Sequence, residues 1–426
     1  MKKFIPILIS TLLLCSCTST VREAPPQTEQ ADHTPEYETT NEAGIETAAP
    51  EPTEEPHPVV KDNIDLTTFN EAIADIAAEN DVVGMGLCVF AEGEVIYEID
   101  LGYADLENDI PCDENTLYRV ASVSKLISTM ALMTLYDGGM LDPYSDLEEL
   151  TGLPFNYSGS DGRVLLWHLL THTAGLNDSY VYEISPSYYY DISYVLRNSH
   201  TYNEPGEQYC YTNFGLGTVG AVAEVLTGEY FHDFADRVIF SKLDMDAAYC
   251  ADLLDDRSAC ANIYGYGELS ASPKSWYRNS GYYEDFGLGN SYLSAQCELL
   301  ISPSDLASLG IVIAGDGSVD GVRILSEEAV ELINTAYYHD DEIHFDIGLS
   351  TRIYDDLVEG REIFGHSGCA LGNVCGLYYG PSDHTGIALC TNGCYLGTNP
   401  DNGVYDIIDD CINCVYDTFF EAPATE

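Results

Sequence analysis

The sequence predicts an α+β fold with a helical insertion. Strand-like segments lie near both ends of the region 63–426, and a mainly helical stretch of about 118–280 separates them. Strands at both ends of a region, around a helical middle, are typical of an α+β body with a helical insertion. The hydrophobic content of 45% is enough for a large core. We therefore expect one large domain, or two closely packed ones, over 63–426.

Residues 1–17 are predicted to be an export signal. Two lysines precede an apolar run that is too short to span a bilayer, and small residues follow it. The ending Leu14-Cys15-Ser16-Cys17 resembles the lipobox of bacterial lipoproteins, in which Cys17 would carry the lipid. An ordinary cleaved signal with a secreted product is the alternative. Both interpretations place the protein outside the cytoplasm, either on the outer face of the cell membrane or secreted.

Residues 18–62 are predicted to be a disordered tether. The segment is rich in Pro, Glu, Thr and Ala and has almost no aliphatic clusters. It therefore buries too little apolar surface to offset the entropy lost on ordering. We expect it to hold the domain away from the membrane, which is a partner only through the lipid anchor.

Hydrophobic periodicity and turn residues predict the elements of the domain. In chain order they are an amphipathic helix over 66–78, strands over 83–90 and 94–103, a helix around Ser122, helical pieces from 164 to about 248, strands over 362–365, 374–379 and 386–391, and a closing helix over 404–420. The turn Ala91-Glu92-Gly93 indicates a hairpin between the first two strands. After about Gly281 we expect strands to return, as the three strands between 362 and 391.

The charge of the chain excludes some partners. The formal net charge is −55, from 71 acidic and 16 basic residues. Such a charge disfavours binding to nucleic acid and to anionic membrane surfaces. It does not identify a substrate.

The spacings of cysteine and histidine allow more than one interpretation of disulfide formation and metal binding. Of the 14 cysteines, two belong to the signal, and export favours disulfides among the others without fixing their pairing. The cysteines at 390, 394, 411 and 414 have spacings that would also suit zinc, which we disfavour in an exported protein. We interpret the acidic segment 339–344 as a solvated loop, and His168 and His172 as structural residues. No metal is expected.

The helix around Ser122 contains the first candidate site. Ser122 and Lys125 lie one turn apart on a helix with many apolar residues. Burial penalises the charged form of an amine, and a neutral amine can accept a proton from serine. The spacing is common by chance, but this chain has only six lysines. If Ser122 opens the helix, its N–H is free to bind a developing oxyanion.

Two further stretches place polar residues beside loops or strand ends. Tyr211 and Asn213 project from a loop just before a predicted helix, and His366-Ser367-Gly368 ends a predicted strand. Small residues there allow the backbone of a ligand to approach. Each stretch alone is weak evidence for a functional site, because a buried tyrosine usually belongs to a core and a single histidine is more often structural.

In this order and spacing, the three stretches resemble the signatures of the serine β-lactamase and penicillin-binding family. The similarity is to the branch of class C β-lactamases, D-alanyl-D-alanine carboxypeptidases and related esterases, and it extends from Leu66 to the last helix. Further stretches resemble this branch at Leu169–Leu176, Gly287–Gly289 and Ser302–Asp305. The resemblance implies a β-lactamase/transpeptidase-like fold, with an antiparallel sheet flanked by helices and an inserted helical subdomain.

The resemblance also implies a serine hydrolase. Ser122 would attack the substrate carbonyl and become acylated, while Lys125 and the Tyr211 hydroxyl transfer the protons. The backbone N–H groups of Ser122 and Cys369 would form the oxyanion hole. No metal or organic cofactor is required.

The remaining signature residues would bind the substrate. Asn213 would hold the substrate amide, and His366-Ser367-Gly368 would line the strand along which the substrate lies. Class C β-lactamases usually carry Lys-Thr-Gly at this place. An ordinary histidine is mostly neutral at pH 7 and anchors a carboxylate poorly. We therefore expect small uncharged esters to be better substrates than β-lactams, with a gap that narrows toward about pH 6 as the ring gains charge.

The sequence thus predicts a membrane-tethered, extracytoplasmic serine hydrolase that acts through an acyl-enzyme. Its partner would be a small molecule or cell-wall peptide, namely a D-amino-acid peptide, ester or amide. A class C-like β-lactamase is the first alternative. A non-catalytic lipoprotein that binds peptidoglycan or a β-lactam is the second, and the presence of both Lys125 and Tyr211 argues against it. The leaving group, the oligomeric state and the disulfide pairing stay open.

Overall fold

The computed structural model of the protein describes residues 60–157, 162–272, 277–340 and 343–422. The predicted signal, including Cys17, and nearly all of the predicted tether lie outside these residues. Val60 forms a β-bridge with Phe420, so the chain contacts the domain a few residues before the predicted boundary at Asn63. Within the described ranges, no helix combines the length and apolar character needed to cross a membrane.

The described residues form twelve α-helices, fourteen strands and three short 3₁₀ helices. The α-helices are α1 (Leu66–Glu79), α2 (Val123–Asp137), α3 (Leu147–Thr151), α4 (Leu166–Leu170), α5 (Tyr180–Tyr188), α6 (Ile192–Arg197), α7 (Asn213–Thr227), α8 (Phe231–Val238), α9 (Ser280–Glu284), α10 (Pro303–Ala314), α11 (Glu327–Asn334) and α12 (Asp406–Phe419). The 3₁₀ helices are Phe240–Lys242, Ala251–Leu253 and Arg257–Ala259.

The strands are mostly short outside the main sheet. They are β1 (Gly84–Ala91), β2 (Glu94–Asp105), β3 (Ile110–Pro111), β4 (Tyr118–Arg119), β5 (Ile263–Gly265), β6 (Glu268–Ala271), β7 (Leu300–Ile301), β8 (Ser318–Val319), β9 (Val322–Arg323), β10 (Asp346–Ile347), β11 (Arg352–Val358), β12 (Arg361–Ala370), β13 (Asn373–Gly380) and β14 (Thr385–Thr391).

One antiparallel sheet of eight strands organises the domain. Its order is β10-β11-β12-β13-β14-β1-β2-β3, so strands from the two ends of the domain meet where β1 pairs with β14. Three two-stranded ribbons, β4-β7, β5-β6 and β8-β9, lie outside it. The predicted α+β fold, with an antiparallel sheet flanked by helices, is confirmed.

Helices cover both faces of the sheet. Leu87 of β1 belongs to a core with Phe69 of α1 and Ile408 of α12, whereas Cys88 belongs to a second core with α2 and α10. Every position of β1 is consequently buried. A strand that is covered on both faces reads as a continuous apolar run rather than as an alternation.

The three strands predicted after about Gly281 are confirmed as β12, β13 and β14, but the sequence pattern predicts no element at residues 303–334. This stretch contains α10 and α11, separated only by the two-residue strands β8 and β9. Most residues of α10 are buried, which removes the apolar-polar alternation that would have indicated a helix. A start signal was present, because Ser302 caps α10 by accepting from the Asp305 N–H and Pro303 occupies the first turn.

Apart from Cys369, the eleven cysteines of the described residues are free thiols, and eight of them are buried. The disulfides expected of an exported chain are not formed among them. Cys375 and Cys390 stand directly opposite each other on β13 and β14, in the core between the sheet and α2. Buried thiols here pack as small apolar side chains. Among the described residues, no group of three or more His, Cys, Asp or Glu side chains is arranged to hold a metal ion.

Candidate active site

Ser122 opens α2, as the sequence suggested. The ribbon β4-β7 leads into it, and Ala121 just before it has a left-handed backbone with φ of 47°. Such a conformation is strained for a residue with a side chain, and surrounding structure must maintain it. Ser122 occupies the N-cap position, yet its hydroxyl makes no capping hydrogen bond. The hydroxyl therefore remains available for chemistry.

Lys125 is fully buried and contacts three acceptors. Its Nζ lies 2.9 Å from Ser122 Oγ, 2.9 Å from Asn213 Oδ1 and 3.0 Å from the Gln296 carbonyl oxygen. An ammonium group has three protons, one for each acceptor. When the amine is neutral, two protons still bind Asn213 and Gln296, which leaves the lone pair directed at Ser122. The site thus orients Lys125 as a base for this hydroxyl.

Tyr211 reaches the same hydroxyl from the other side. The Tyr211 hydroxyl donates to Ser122 Oγ over 2.9 Å, and Lys125 Nζ lies 5.2 Å from the centre of its ring. One serine oxygen is therefore held between an amine and a phenol. The first two signatures thus meet at Ser122 Oγ, and Asn213 joins them through its contact with Lys125.

The Gln296 carbonyl is held in place by a buried ion-pair cluster. The Glu298 carboxylate lies 3.3 Å from Arg119 and 2.8 Å from Arg278. Burial raises the pKa of Glu298, but the two guanidinium groups outweigh this effect and lower it overall. The charged Glu298 carboxylate therefore fixes the segment whose Gln296 carbonyl oxygen accepts from Lys125.

Strand β12 carries the third signature alongside α2. It was expected to end near Gly365 but continues to Ala370, so His366-Ser367-Gly368 lies within the strand. A Cβ atom at Gly368 would lie 2.2 Å from the Val120 carbonyl oxygen and 2.8 Å from Ser122 N. Only glycine allows the strand this close to the serine turn. Cys369, the second expected oxyanion donor, follows directly on the same strand.

His366 and Ser367 point to opposite faces of the sheet. His366 pairs with Leu377 and faces α2, with its ring centre 6.3 Å from that of Tyr211. Ser367 pairs with Gly376 and lies on the face of α12. Ser367 therefore offers its backbone, rather than its side chain, to the edge beside Ser122.

The His366 ring stays neutral well below pH 7. Burial, followed by the charges of Arg352 and Lys125, keeps its pKa well below the usual 6.5. Our expectation that the ring gains charge near pH 6 is therefore wrong. The sequence had already indicated Lys125 as part of the site, but it did not reveal Arg352.

Arg352 is a cation of the site that sequence reasoning missed. It stands opposite Gly365 on the neighbouring strand β11, and its guanidinium lies 5.9 Å from the ring centre of Tyr211 and 4.7 Å from that of Phe345. No carboxylate of the described residues forms an ion pair with it, although the chain has 71 acidic residues. A guanidinium remains charged at every physiological pH. The site therefore does contain a fixed positive charge.

His168 lies in α4 and His172 just after it, and both make structural contacts, as expected. His172 accepts the Thr212 N–H over 3.1 Å and packs its ring 4.4 Å from that of Tyr211. Burial holds the pKa of His172 well below its usual value. His168 accepts the Leu165 N–H, and burial lowers its pKa to about 4. His172 therefore supports the Tyr211 ring as a neutral group.

Comparison with known proteins shows the family of the chain. The model of the beta-lactamase family matches residues 69–407. Protein Rv1367c of Mycobacterium tuberculosis is 22% identical over 343 residues, which are 72% of this chain and 84% of that protein. The D-aminopeptidase of Gluconobacter oxydans is 27% identical over 52% of this chain and 42% of its own length. Esterase EstB of Burkholderia gladioli is 29% identical over 43% of this chain and 54% of its own length.

Solved structures share the fold. A penicillin-binding protein homolog from Caulobacter crescentus superposes with a TM-score of 0.68 at 17% identity, over 84% of this chain and all of that one. The D-amino acid amidase from Ochrobactrum anthropi SV3 gives a TM-score of 0.61 at 20% identity, over 82% of this chain and 99% of that one. The predicted β-lactamase/transpeptidase-like fold is confirmed. Since the family model covers most of the chain and its three signatures meet at one serine, the protein belongs to the beta-lactamase family and is a hydrolase of the β-lactamase and penicillin-binding type.

Proposed function

We propose that the protein hydrolyses D-amino-acid peptides, amides or esters through an acyl-enzyme on Ser122. The observation that supports this is the contact of one hydroxyl with both Lys125 Nζ and the Tyr211 hydroxyl, each at 2.9 Å. The base and the acid are then each within direct reach of the nucleophile, which acyl transfer requires.

The reaction would proceed in two halves. Neutral Lys125 accepts the Ser122 proton as Oγ attacks the carbonyl carbon, and the N–H groups of Ser122 and Cys369 bind the resulting oxyanion. The leaving amine or alcohol takes its proton from the Lys125 and Tyr211 pair, which leaves an acyl ester on Ser122. Water then attacks the ester carbonyl and gives its proton to the same pair. The bond between the acyl carbon and Ser122 Oγ breaks, Oγ takes that proton back from the pair, and the acid is released.

Names of relatives support the choice of substrate. They include a D-aminopeptidase, an esterase and a D-amino acid amidase, whose common chemistry is cleavage of an acyl–nitrogen or acyl–oxygen bond. Arg352 adds a cation beside Tyr211 on which a substrate carboxylate would rest. We therefore favour substrates with a free carboxylate over the uncharged esters that the histidine alone suggested.

A β-lactamase is the second candidate. Arg352 would compensate for the lysine that the His366-Ser367-Gly368 signature lacks, because a β-lactam also carries a carboxylate. The two candidates differ in deacylation: a β-lactamase releases the opened β-lactam rapidly, whereas a peptidase keeps it as a stable ester.

We also propose that the protein is a lipoprotein, anchored through Cys17 on the outer face of the cell membrane. The lysines, short apolar run and Leu14-Cys15-Ser16-Cys17 ending support this location. The acidic tether would keep the domain away from the membrane surface.

Intact-mass spectrometry tests the proposed function. After incubation with a penicillin or an activated ester, the wild type should gain the mass of one acyl group, and Ser122→Ala should gain none. The lifetime of the penicillin adduct separates the two candidates. An adduct that persists in Ser122→Ala would refute the assignment of the nucleophile.

A further inference from the structure

The start of α7 is held by one carboxylate outside the three signatures. Asp178, in the loop before α5, accepts hydrogen bonds from four donors. These are the Thr212 hydroxyl at 2.7 Å, the Asn213 N–H at 3.1 Å, the Asn213 Nδ2 at 3.0 Å and the Phe214 N–H at 2.8 Å. An ionised carboxylate has about four acceptor positions and no donor. Asp178 is thus fully used as an acceptor.

These hydrogen bonds determine which way the Asn213 amide faces. The Nδ2 group must point to Asp178, because a carboxylate can only accept. Oδ1 must then point away, and it lies 2.9 Å from Lys125 Nζ. With the amide reversed, an NH₂ group would face the Lys125 amine while two oxygens met at Asp178. Both contacts would be lost.

We propose that Asp178 is a positioning residue for the reaction of Ser122. It keeps the Asn213 oxygen directed at Lys125, and Lys125 in turn stays within reach of Ser122. This inference rests on the proposed function for its kinetic test, but its structural test needs no activity.

A purely structural role would also fit a carboxylate at the start of a helix. Acidic side chains near a helix N-terminus stabilise the helix by about 0.3–1 kcal/mol. Loss of Asp178 could then lower activity simply by loosening α7. The test must therefore show whether the effect of Asp178 on acylation depends on Asn213. A measurement of stability alone is not enough.

Asp178→Asn is the informative change because it keeps the size of the side chain. If the new amide oxygen stays toward Thr212 and Phe214, its NH₂ group faces Asn213. Asn213 would then reverse its amide and offer nitrogen to Lys125. We expect the acylation rate constant of Ser122 to fall about 10- to 100-fold, the scale of an unsatisfied buried hydrogen bond at 1.4 kcal/mol per tenfold.

The controls separate positioning from stability. Asp191→Asn removes a comparable carboxylate that caps α6 by accepting the Ser193 N–H, and it should leave acylation unchanged. Asn213→Ala supplies the double-mutant cycle. If Asp178 acts through Asn213, adding Asp178→Asn to Asn213→Ala should have little effect. The double variant should then acylate less than about threefold more slowly than Asn213→Ala alone. The proposal would be overturned if the losses from the two single changes were fully additive. It would also be overturned if Asp178→Asn acylated Ser122 at the wild-type rate.

A crystal structure of Asp178→Asn covers the case in which wild type forms no Ser122 adduct. That result would refute the proposed function, while the positioning of Asn213 would still be decided by geometry. At a pH where Lys125 is protonated, we expect its Nζ to move away from residue 213, because an ammonium and an NH₂ group are both donors. An unchanged Nζ position would refute the positioning role whatever the activity.

Discussion

Arg352→Gln should weaken catalysis selectively for substrates that carry a carboxylate. The guanidinium lies beside Tyr211 and has no carboxylate partner among the described residues, so a substrate would break no ion pair to use it. Hydrogen bonds to charged groups contribute about 1.5–3 kcal/mol. At 1.4 kcal/mol per tenfold, loss of this contact should lower kcat/KM about 10- to 150-fold.

The assay compares two forms of one substrate. An N-acylated D-alanyl-D-alanine peptide with a free carboxylate should show the full loss, and the same peptide as its C-terminal carboxamide should change little. Arg352→Lys should recover part of the loss, since it keeps the charge without the planar fork. Arg323→Gln is the matched control, because this exposed arginine pairs with Asp316 away from the site.

Equal losses for both peptides would refute the argument. Arg352 would then act by supporting the Tyr211 ring, which it faces at 5.9 Å, and not by binding the substrate. A wild type that prefers the carboxamide would refute it as well.

Further predictions concern the proton-transfer residues, His366, the buried Glu224 and the predicted lipid anchor. Lys125→Ala and Tyr211→Phe should each lower turnover by about 100-fold or more, the scale of lost proton transfer, and a metal chelator should have no effect. The preference for carboxylate over carboxamide should be the same at pH 8 and pH 6 in wild type and His366→Gln, because the pKa of His366 lies well below this range. Burial raises the pKa of Glu224 from 4.5 to about 7, so the folded state binds this proton more tightly. The resulting stability is complete below about pH 4.5 and lost as pH rises to 7, worth about 3 kcal/mol at 1.36 kcal/mol per pKa unit. Denaturation at pH 5 and 8 should show that wild type loses more stability over this range than Glu224→Gln does, by most of this amount, because other carboxyls with a raised pKa, such as Asp100, are present in both proteins. Cys17→Ala should move the protein from the membrane fraction to the soluble fraction, and membrane binding that survives a salt wash would contradict the lipid anchor.

Local spacing explains why the sequence predicted the centre of the site. Ser122 and Lys125 are three residues apart on one helix, so their contact follows from helical geometry alone. The signature around Tyr211 belongs to a helix start with recognisable turn residues. Joining these segments to β12 required resemblance to a family, because nothing in the sequence states which helix packs on which strand.

The residues that sequence reasoning missed all act across segments. Arg352 reaches the site through the pairing of β11 with β12, opposite Gly365. Asp178 and Gln296 reach it from loops that lie 35 residues before Asn213 and 171 residues after Lys125. Strand register and loop packing are set by tertiary contacts, and a single sequence does not display them. Helix α10 was missed for a related reason, since burial on nearly all sides removed its periodicity.

The histidine of the third signature and Arg352 are best understood as one electrostatic arrangement. A lysine in place of His366 would put a permanent charge on β12, whereas here the charge stands on β11. The same guanidinium helps to hold the pKa of the buried His366 ring far below neutrality, so the histidine cannot become a second cation. The net charge of −55 opposes an anionic substrate over long distances, but at about 0.1 M salt such forces are screened beyond roughly 10 Å. Within the site the short-range cation dominates, which is why the chain's overall acidity does not exclude carboxylate substrates.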